Sequence, residues 1–132
     1  MQAPLRPPPV LTMAVALAAS WASMLAHNMY ELPLAPIDVE NSGPLLLDVL
    51  LLAGYWRFGQ ARVVQVAILG WALLNLVIGG VLSVFPLPIW SWVPEQSVSH
   101  YLAHVVYALG QLPLIGVAVA AVRARRGMAP AA

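Results

Sequence analysis

"RVVQVAILGWALLNLVIGGVLSV", residues 62–84, decides the class to which this protein belongs. Arg62, at its very beginning, is the only charged residue in the stretch. A helix rises about 1.5 Å per residue, so about 20 apolar residues cross the hydrocarbon core of a bilayer. The stretch therefore predicts a transmembrane helix.

The composition of the whole chain supports the same conclusion. Of its 132 residues, 61% are apolar and only 8% are charged, whereas a typical soluble protein has about 25% charged residues. The net charge of +1 gives no extended basic face for nucleic acid. Because the chain has no cysteine, disulfides, thiolate metal sites and iron–sulfur clusters are excluded.

Three further apolar segments flank this stretch, and together they predict one all-α domain over residues 1–132. The fold class is an integral membrane four-helix bundle, with the bilayer as its main partner. The second segment is short, so three crossings and a re-entrant piece are the alternative. A Pro–Glu pair at 94–95 is typical of a helix start. The predicted helices cover about 10–31, 44–58, 61–84 and 94–123, with flexible segments at 1–9 and 126–132.

The distribution of charge predicts how the chain lies in the membrane. With four crossings, all arginines fall on one side, and the positive-inside rule identifies that side as the cytoplasm. Both termini are then cytoplasmic, and the protein is a multi-pass protein of the bacterial plasma membrane. The arginines are Arg6, Arg57, Arg62, Arg123, Arg125 and Arg126. The loops on the other side carry only acidic charges, at Glu31, Asp38, Glu40 and Glu95.

Polar side chains interrupt the apolar segments at helical spacing. Residues three or four apart share a helix face, which places His27 with Glu31 on the first segment and His100 with His104 on the fourth. Counted at about 1.5 Å per residue, His27 and His104 lie roughly 26 and 28 Å from the arginine side. We therefore expect these two histidines to face each other near the outer boundary, with His100 and Glu31 one turn further out.

Asp48 is a carboxylate within the second segment, without an arginine or lysine at its depth. Because an aspartate at the bilayer centre costs about 2.5 to 3.5 kcal/mol on insertion scales, its side chain should point inward and be protonated or hydrogen-bonded. Asn75 on the third segment lies at a comparable depth. We expect Asp48 to be hydrogen-bonded to Asn75, to a hydroxyl on a facing helix or to water. An Asp48–Asn75 contact would be either a structural clasp or part of a site that handles protons or substrate.

Three imidazoles and a carboxylate at one level match common ligand sets for divalent transition metals. The same groups would also suit a structural cap that hydrogen-bonds water and lipid head groups. A b-type haem needs two facing axial ligands, for which His27 and His104 are the candidate pair, but no other motif supports haem. The candidate ligands for a metal ion or a small molecule are His27, Glu31, Asp48, His100 and His104. The residues expected to support them are Asn28, Asn75, Tyr107 and Gln111.

Three functions from different classes fit these features. The first is a membrane protein with an outward-facing polar pocket for a metal ion or small ligand, and we take it as the leading interpretation. The second is a structural or accessory subunit of a larger membrane complex, and the third is proton or small-solute transport by a homo-oligomer. An enzyme is not predicted, because the chain has neither a Ser–His–Asp order at plausible depth nor a metalloprotease helix motif.

Overall fold

A computed structural model of the chain describes residues 6–59 and 61–126. This part of the chain is all-helical and contains no strand. After α3 the chain continues directly into a π-helical segment and a short 3₁₀ turn, which run to Val84. The elements are α1 (Val10–Glu31), α2 (Val39–Phe58), α3 (Arg62–Leu74), the π-helical segment (Asn75–Val81), the 3₁₀ turn (Leu82–Val84) and α4 (Val98–Arg126).

Three helical stretches are long and apolar enough to cross a membrane. They are Val10–Glu31 with 22 residues, Arg62–Val84 with 23 and Val98–Ala124 with 27. Many large apolar side chains on the outside of the bundle are exposed, among them Leu11 and Val63. An apolar outer surface of this kind suits acyl chains rather than water.

The four helices alternate in direction and pack around a common interior. Helix α4 packs most extensively against α1 and also contacts α3 and the π-helical segment, while α2 packs against α1 and α3. The Tyr55 hydroxyl, near the end of α2, donates to the Pro8 carbonyl just before α1 at 2.7 Å. We call the end with Arg57, Arg62 and Arg123 the arginine end, and the opposite end, where α1 ends and α4 begins, the polar end.

The interior changes character between these two ends. Toward the arginine end it is an apolar core whose buried members include Met13, Leu17, Ile68, Leu114, Ala118 and Ala121. Gln65 is the polar exception there, and its amide donates to the Gly59 carbonyl at 2.7 Å. Toward the polar end the buried side chains include Asn41, Asp48, Asn75, His100 and His104. The polar half of the interior is therefore where a site can form.

Helix α2 begins at Val39, whereas the sequence predicted a start at Pro44. The prediction was wrong because Asn41 anchors an additional first turn to α1. Its buried side chain accepts from the Asn28 amide at 2.8 Å, and its carbonyl accepts from the Trp21 indole at 3.0 Å. These tertiary hydrogen bonds stabilise a helical turn that its polar composition alone did not predict.

Helix α4 begins at Val98, one turn later than the predicted start at Pro94. The hydroxyl of Ser97 accepts from the His100 N–H at 3.2 Å, which is the geometry of an N-cap. The Gln96 amide donates to the Pro94 carbonyl at 3.0 Å and ties the preceding residues into a loop. The serine cap thus sets the helix start, rather than the Pro–Glu pair.

The other predicted boundaries fare better. Helix α1 has the predicted bounds, and residues 62–84 are helical throughout, although they include a rare π-helical segment. Two backbone carbonyls in this region accept hydrogen bonds from side chains. The Asn75 amide donates to the Trp71 carbonyl at 2.9 Å, and the Ser83 hydroxyl donates to the Gly79 carbonyl at 2.6 Å. Of the predicted flexible segments, residues 1–5 and 127–132 lie outside the described residues, whereas Arg126 belongs to α4.

Gly110 on α4 permits the close approach of α1 and yields a test of this packing. A Cβ atom at Gly110 would collide with the Ser23 side chain, whereas a Cβ at Gly116 on the same helix meets nothing within 4 Å. We expect Gly110→Ala to lower the free energy of unfolding by about 1–3 kcal/mol through overpacking. Gly116→Ala should leave it unchanged or raise it by up to about 1 kcal/mol.

Unfolding of the full chain in mixed detergent and SDS micelles measures both values. Equal stability of the two variants would contradict the close contact between α1 and α4.

Candidate functional site

His27 on α1 and His104 on α4 meet at the polar end. Their Nε2 atoms are 3.1 Å apart, and their ring centroids are 4.3 Å apart. The equal depth estimated from the sequence predicts this meeting, and the antiparallel packing of α1 and α4 produces it. Because one of the two nitrogens must donate and the other accept, the two rings are held in complementary protonation states.

His100 and Glu31 form a second pair one turn further toward the polar end. The His100 Nδ1 lies 2.6 Å from a Glu31 carboxylate oxygen. The His100 ring also packs edge-on against the His104 ring, with centroids 4.6 Å apart. The two pairs are therefore in contact, and we call His27, Glu31, His100 and His104 the histidine cluster.

A relay of amide groups fixes which nitrogen of His27 carries the hydrogen. The Asn41 amide donates to the Ala35 carbonyl at 2.8 Å, so its oxygen faces Asn28 and accepts from that amide at 2.8 Å. The Asn28 oxygen is then left for His27 Nδ1, 3.1 Å away. Since an oxygen can only accept, Nδ1 of His27 must donate.

The relay continues into His104 when both rings are neutral. A neutral His27 that donates through Nδ1 has a lone pair on Nε2, so His104 must donate through its own Nε2. The remaining His104 nitrogen, Nδ1, then carries a lone pair. Four side chains and one backbone carbonyl thus set the direction of every hydrogen bond in the series.

Two imidazole nitrogens of the cluster have no hydrogen-bond partner in the described part of the chain. They are His100 Nε2 and His104 Nδ1, on residues that are only 8% and 5% exposed. The backbone carbonyls of Gly79 and Gly80 lie beside the His104 ring as acceptors, although neither completes a hydrogen bond to Nδ1. Because buried polar atoms are nearly always paired, both nitrogens are free to bind a ligand or water.

The histidine cluster lines a cavity of about 420 Å³ at the polar end. The loop between the 3₁₀ turn and α4 supplies its other wall, with Trp92 and Glu95 among the lining residues. The volume falls within the range of about 300–1,000 Å³ that is usual for small-molecule sites. Both unpartnered nitrogens are covered by protein atoms, so an occupant reaches them through a shift of the rings or the loop. We call this space the polar cavity.

The predicted contact between Asp48 and Asn75 is wrong. The Asp48 carboxylate instead accepts from the Trp71 indole at 2.7 Å. Asn75 is already engaged, because its oxygen accepts from the Tyr107 hydroxyl at 2.9 Å and its amide donates to the Trp71 carbonyl. The Trp71 indole therefore occupies the position at the carboxylate that was expected for Asn75. Asp48 belongs to the α2–α3 contact rather than to the polar cavity.

The other supporting residues take separate positions. Tyr107 packs beside His27, with ring centroids 5.5 Å apart, where a Cβ at Gly79 would approach its hydroxyl to 2.5 Å. Gln111 lies one turn deeper and joins α4 to α1, because it accepts from Ser20 at 2.5 Å and its amide contacts Ser23 at 3.1 Å. Asn28 alone of the predicted supporting residues contacts the histidine cluster by a hydrogen bond.

Two residues of this region were missed by the sequence reasoning. Asn41 was assigned to a loop, although a buried asparagine beside an interfacial helix is a signal for an anchoring hydrogen bond. Trp71 is a tryptophan at mid-membrane depth, and its residue type alone does not predict a carboxylate partner. Its position opposite Asp48 depends on how α2 and α3 rotate against each other, which the sequence does not give.

The arrangement of the cluster also bears on metal binding. In the described residues, no three histidine, aspartate or glutamate side chains are placed so that they could hold a metal ion together. The rings are arranged as pairs, His27 with His104 and His100 with Glu31, instead of around one point. A metal ion at this site would therefore take further ligands from water or a small molecule.

No protein family, curated protein or solved structure matches this chain.

The amide relay predicts the tautomers of two histidines. In mildly alkaline buffer, where the rings are neutral, we expect His27 to carry its hydrogen on Nδ1 and His104 on Nε2. Asn28→Ala removes the oxygen that holds the His27 hydrogen, so both tautomers of His27 should appear. Ring ¹⁵N chemical shifts of the labelled protein in micelles report the tautomers directly.

Thr12→Ala, at an exposed position near the start of α1, serves as the control and should not change the spectrum. An Nε2-protonated His27 in the unmodified protein would contradict the relay.

Proposed function

We propose that this chain is a ligand-binding membrane protein whose site is the polar cavity. The observation that supports the proposal is a buried histidine cluster with two unpartnered imidazole nitrogens, His100 Nε2 and His104 Nδ1, beside a cavity of about 420 Å³. A structural cap that only formed hydrogen bonds with water and lipid head groups would expose its imidazoles to solvent. These two histidines are instead more than nine-tenths buried, so burial favours a specific occupant.

The occupant is a small molecule or a divalent transition-metal ion that binds imidazole nitrogen. The separation of 3.1 Å between the Nε2 atoms of His27 and His104 is that of their hydrogen bond. Two nitrogens on one tetrahedral zinc ion lie roughly 3.3 Å apart, so a metal ion that displaces the shared hydrogen would fit between the rings. The relay supports a hydrogen-bonding molecule when both rings are neutral, since it then leaves a lone pair on His104 Nδ1. Both kinds of ligand would engage His104, the metal through Nε2 and the molecule through Nδ1.

Proton conduction receives less support from the same interior. The polar side chains that lead from Tyr107 toward Asp48 pass through the amide of Asn75 and the indole of Trp71. Neither an amide nor an indole takes up and releases protons in the way that a carboxylate or imidazole does. The series therefore fixes the helices against one another and offers no evident relay.

We also propose that all four helices cross the bacterial plasma membrane, with both termini in the cytoplasm. Helix α2 has 20 residues, which is about 30 Å of helix and matches the hydrocarbon thickness. Its buried residues include Asn41 and Asp48, while Leu46, Val49 and Leu50 are exposed. This division suits a helix with its polar face inward and its apolar face toward lipid. In this orientation the polar cavity opens to the extracytoplasmic side.

Native mass spectrometry of the full chain, purified in mild detergent, tests the ligand proposal. We expect a bound species on the unmodified protein that is lost in His104→Gln and retained in Thr12→Ala, an exposed position on α1 that lines neither cavity. Its mass distinguishes a metal ion from an organic molecule. Titration with Co²⁺ provides a second readout, because imidazole coordination gives visible absorption bands. Absence of both a bound species and Co²⁺ absorption, or equal binding by the His104 variant, would contradict the proposal.

Because the chain contains no cysteine, single cysteines test its topology without background. A membrane-impermeant maleimide added to intact cells should label Ser91→Cys in the loop before α4. It should label Gln2→Cys only after the cells are permeabilised. The reverse labelling pattern would place the polar cavity on the cytoplasmic side.

A further inference from the structure

His27 lines a second cavity in addition to the polar cavity. This second space, of about 400 Å³, lies between α1 and α4 and is lined mainly by apolar side chains, among them Ala26, Leu102, Ala103 and Val106. Ala26 on α1 and Ala103 on α4 have no side chain beyond Cβ, so the space between the helices stays open at this level. We call it the lateral groove.

The lateral groove faces the acyl chains of the bilayer. It lies between two helices that are each long and apolar enough to cross a membrane. Leu102 and Val106 on its wall are 59% and 56% exposed, which suits contact with lipid rather than with another helix of the chain. His27 lines both this apolar space and the polar cavity, so the two spaces adjoin at its side chain. An amphipathic molecule that passes beside His27 can therefore place its head in the polar cavity and its tail in the lateral groove.

Charge determines which head group fits. Glu31 and Glu95 line the polar cavity, and neither cavity is lined by an arginine. In the sequence, no arginine or lysine occurs between Arg62 and Arg123 or between Arg6 and Arg57. An anionic phosphate or carboxylate head would meet the Glu95 carboxylate and the Glu31 carboxylate that is paired with His100, whereas a cation would be attracted by both.

Two further features favour a protonated amine over other cations. Trp92, which lines the cavity and stacks on Trp90 with ring centroids 5.1 Å apart, is an aromatic side chain of the kind that attracts cations within about 6 Å of its ring. The His104 Nδ1 lone pair requires a partner that brings a hydrogen atom. An ammonium group supplies both the positive charge and the N–H, whereas a fully methylated ammonium supplies the charge alone.

We propose that the ligand of this protein is a lipophilic amine. Its protonated head lies in the polar cavity between Glu31, Glu95 and Trp92, and its hydrocarbon tail lies in the lateral groove. This inference rests on the proposed function, because it names the chemical class of the small molecule that the polar cavity binds.

Binding of three probes with the same twelve-carbon tail tests the proposal. Dodecylamine, dodecyltrimethylammonium and laurate are dialysed at neutral pH against the full chain in zwitterionic phosphatidylcholine nanodiscs, with empty nanodiscs as the background. We expect saturable binding of dodecylamine, about tenfold weaker binding of the trimethylated probe and no binding of laurate above background. Binding of laurate as tight as that of dodecylamine would overturn the proposal, because the groove would then select acyl chains alone.

Two alanines on α1 provide a matched pair of variants. Ala26 lines the lateral groove and Ala22 lies one turn away outside it, and both are exposed. Ala26→Phe should weaken dodecylamine binding by about tenfold by filling the groove, whereas Ala22→Phe should leave it unchanged. Should Ala26→Phe fail to fold, Ala103→Phe fills the same space from α4. Equal binding by the groove variants and the control would overturn the placement of the tail.

Glu95→Gln tests the placement of the head, since this exposed carboxylate can lose its charge without burial of a new group. We expect dodecylamine binding to weaken several-fold, and unchanged binding would overturn the role of the cavity carboxylates. The His104→Gln experiment remains separate. If it shows a bound metal or another molecule while dodecylamine does not bind, the amine proposal fails and the proposed function stands.

Discussion

A polar side chain inside an apolar membrane protein must find its partner within the protein, because the surrounding hydrocarbon offers none. This constraint organises the polar half of the bundle, and the contact between His27 and His104 is its centre. The two rings join α1 to α4, and each orients the other through a shared hydrogen. The amides of Asn28 and Asn41 extend the arrangement to α2. The histidine cluster thus contributes to the packing between the helices as well as forming the candidate site.

The sequence predicted the class of the fold well, because hydrophobic length and the absence of charge depend only on local composition. The bounds of α1 and the meeting of His27 with His104 follow from counting residues along straight helices. The starts of α2 and α4 did not follow, since tertiary partners of Asn41 and the hydroxyl of Ser97 decide them. Local signals at Pro44 and Pro94 pointed to other starts, and these side-chain hydrogen bonds prevailed.

The sequence predicted how deep the interior polar residues lie in the membrane, but not which neighbouring side chain each of them faces. Asp48 and Asn75 do lie at similar depths on neighbouring helices, yet the rotation of α3 presents Trp71 to the carboxylate instead. Likewise, the helical spacing placed three imidazoles and a carboxylate at one end without showing that they form pairs. Rotation about a helix axis depends on the packing of all four helices, and a single sequence carries little information about it.

The π-helical segment has a consequence for how the polar cavity can change its shape. A π-helix takes more residues per turn than an α-helix, so the seven residues from Asn75 to Val81 set the angular phase of everything beyond them. Rewinding this segment to α geometry would turn Ser83, which lines the cavity, by roughly a third of a revolution about the axis. The same twist would turn Gly79 and Gly80 away from Tyr107 and Ala108, which a Cβ at these glycines would approach to 2.5 and 3.3 Å. A change in the cavity wall is therefore coupled, through this segment, to the spacing between the third helical stretch and α4.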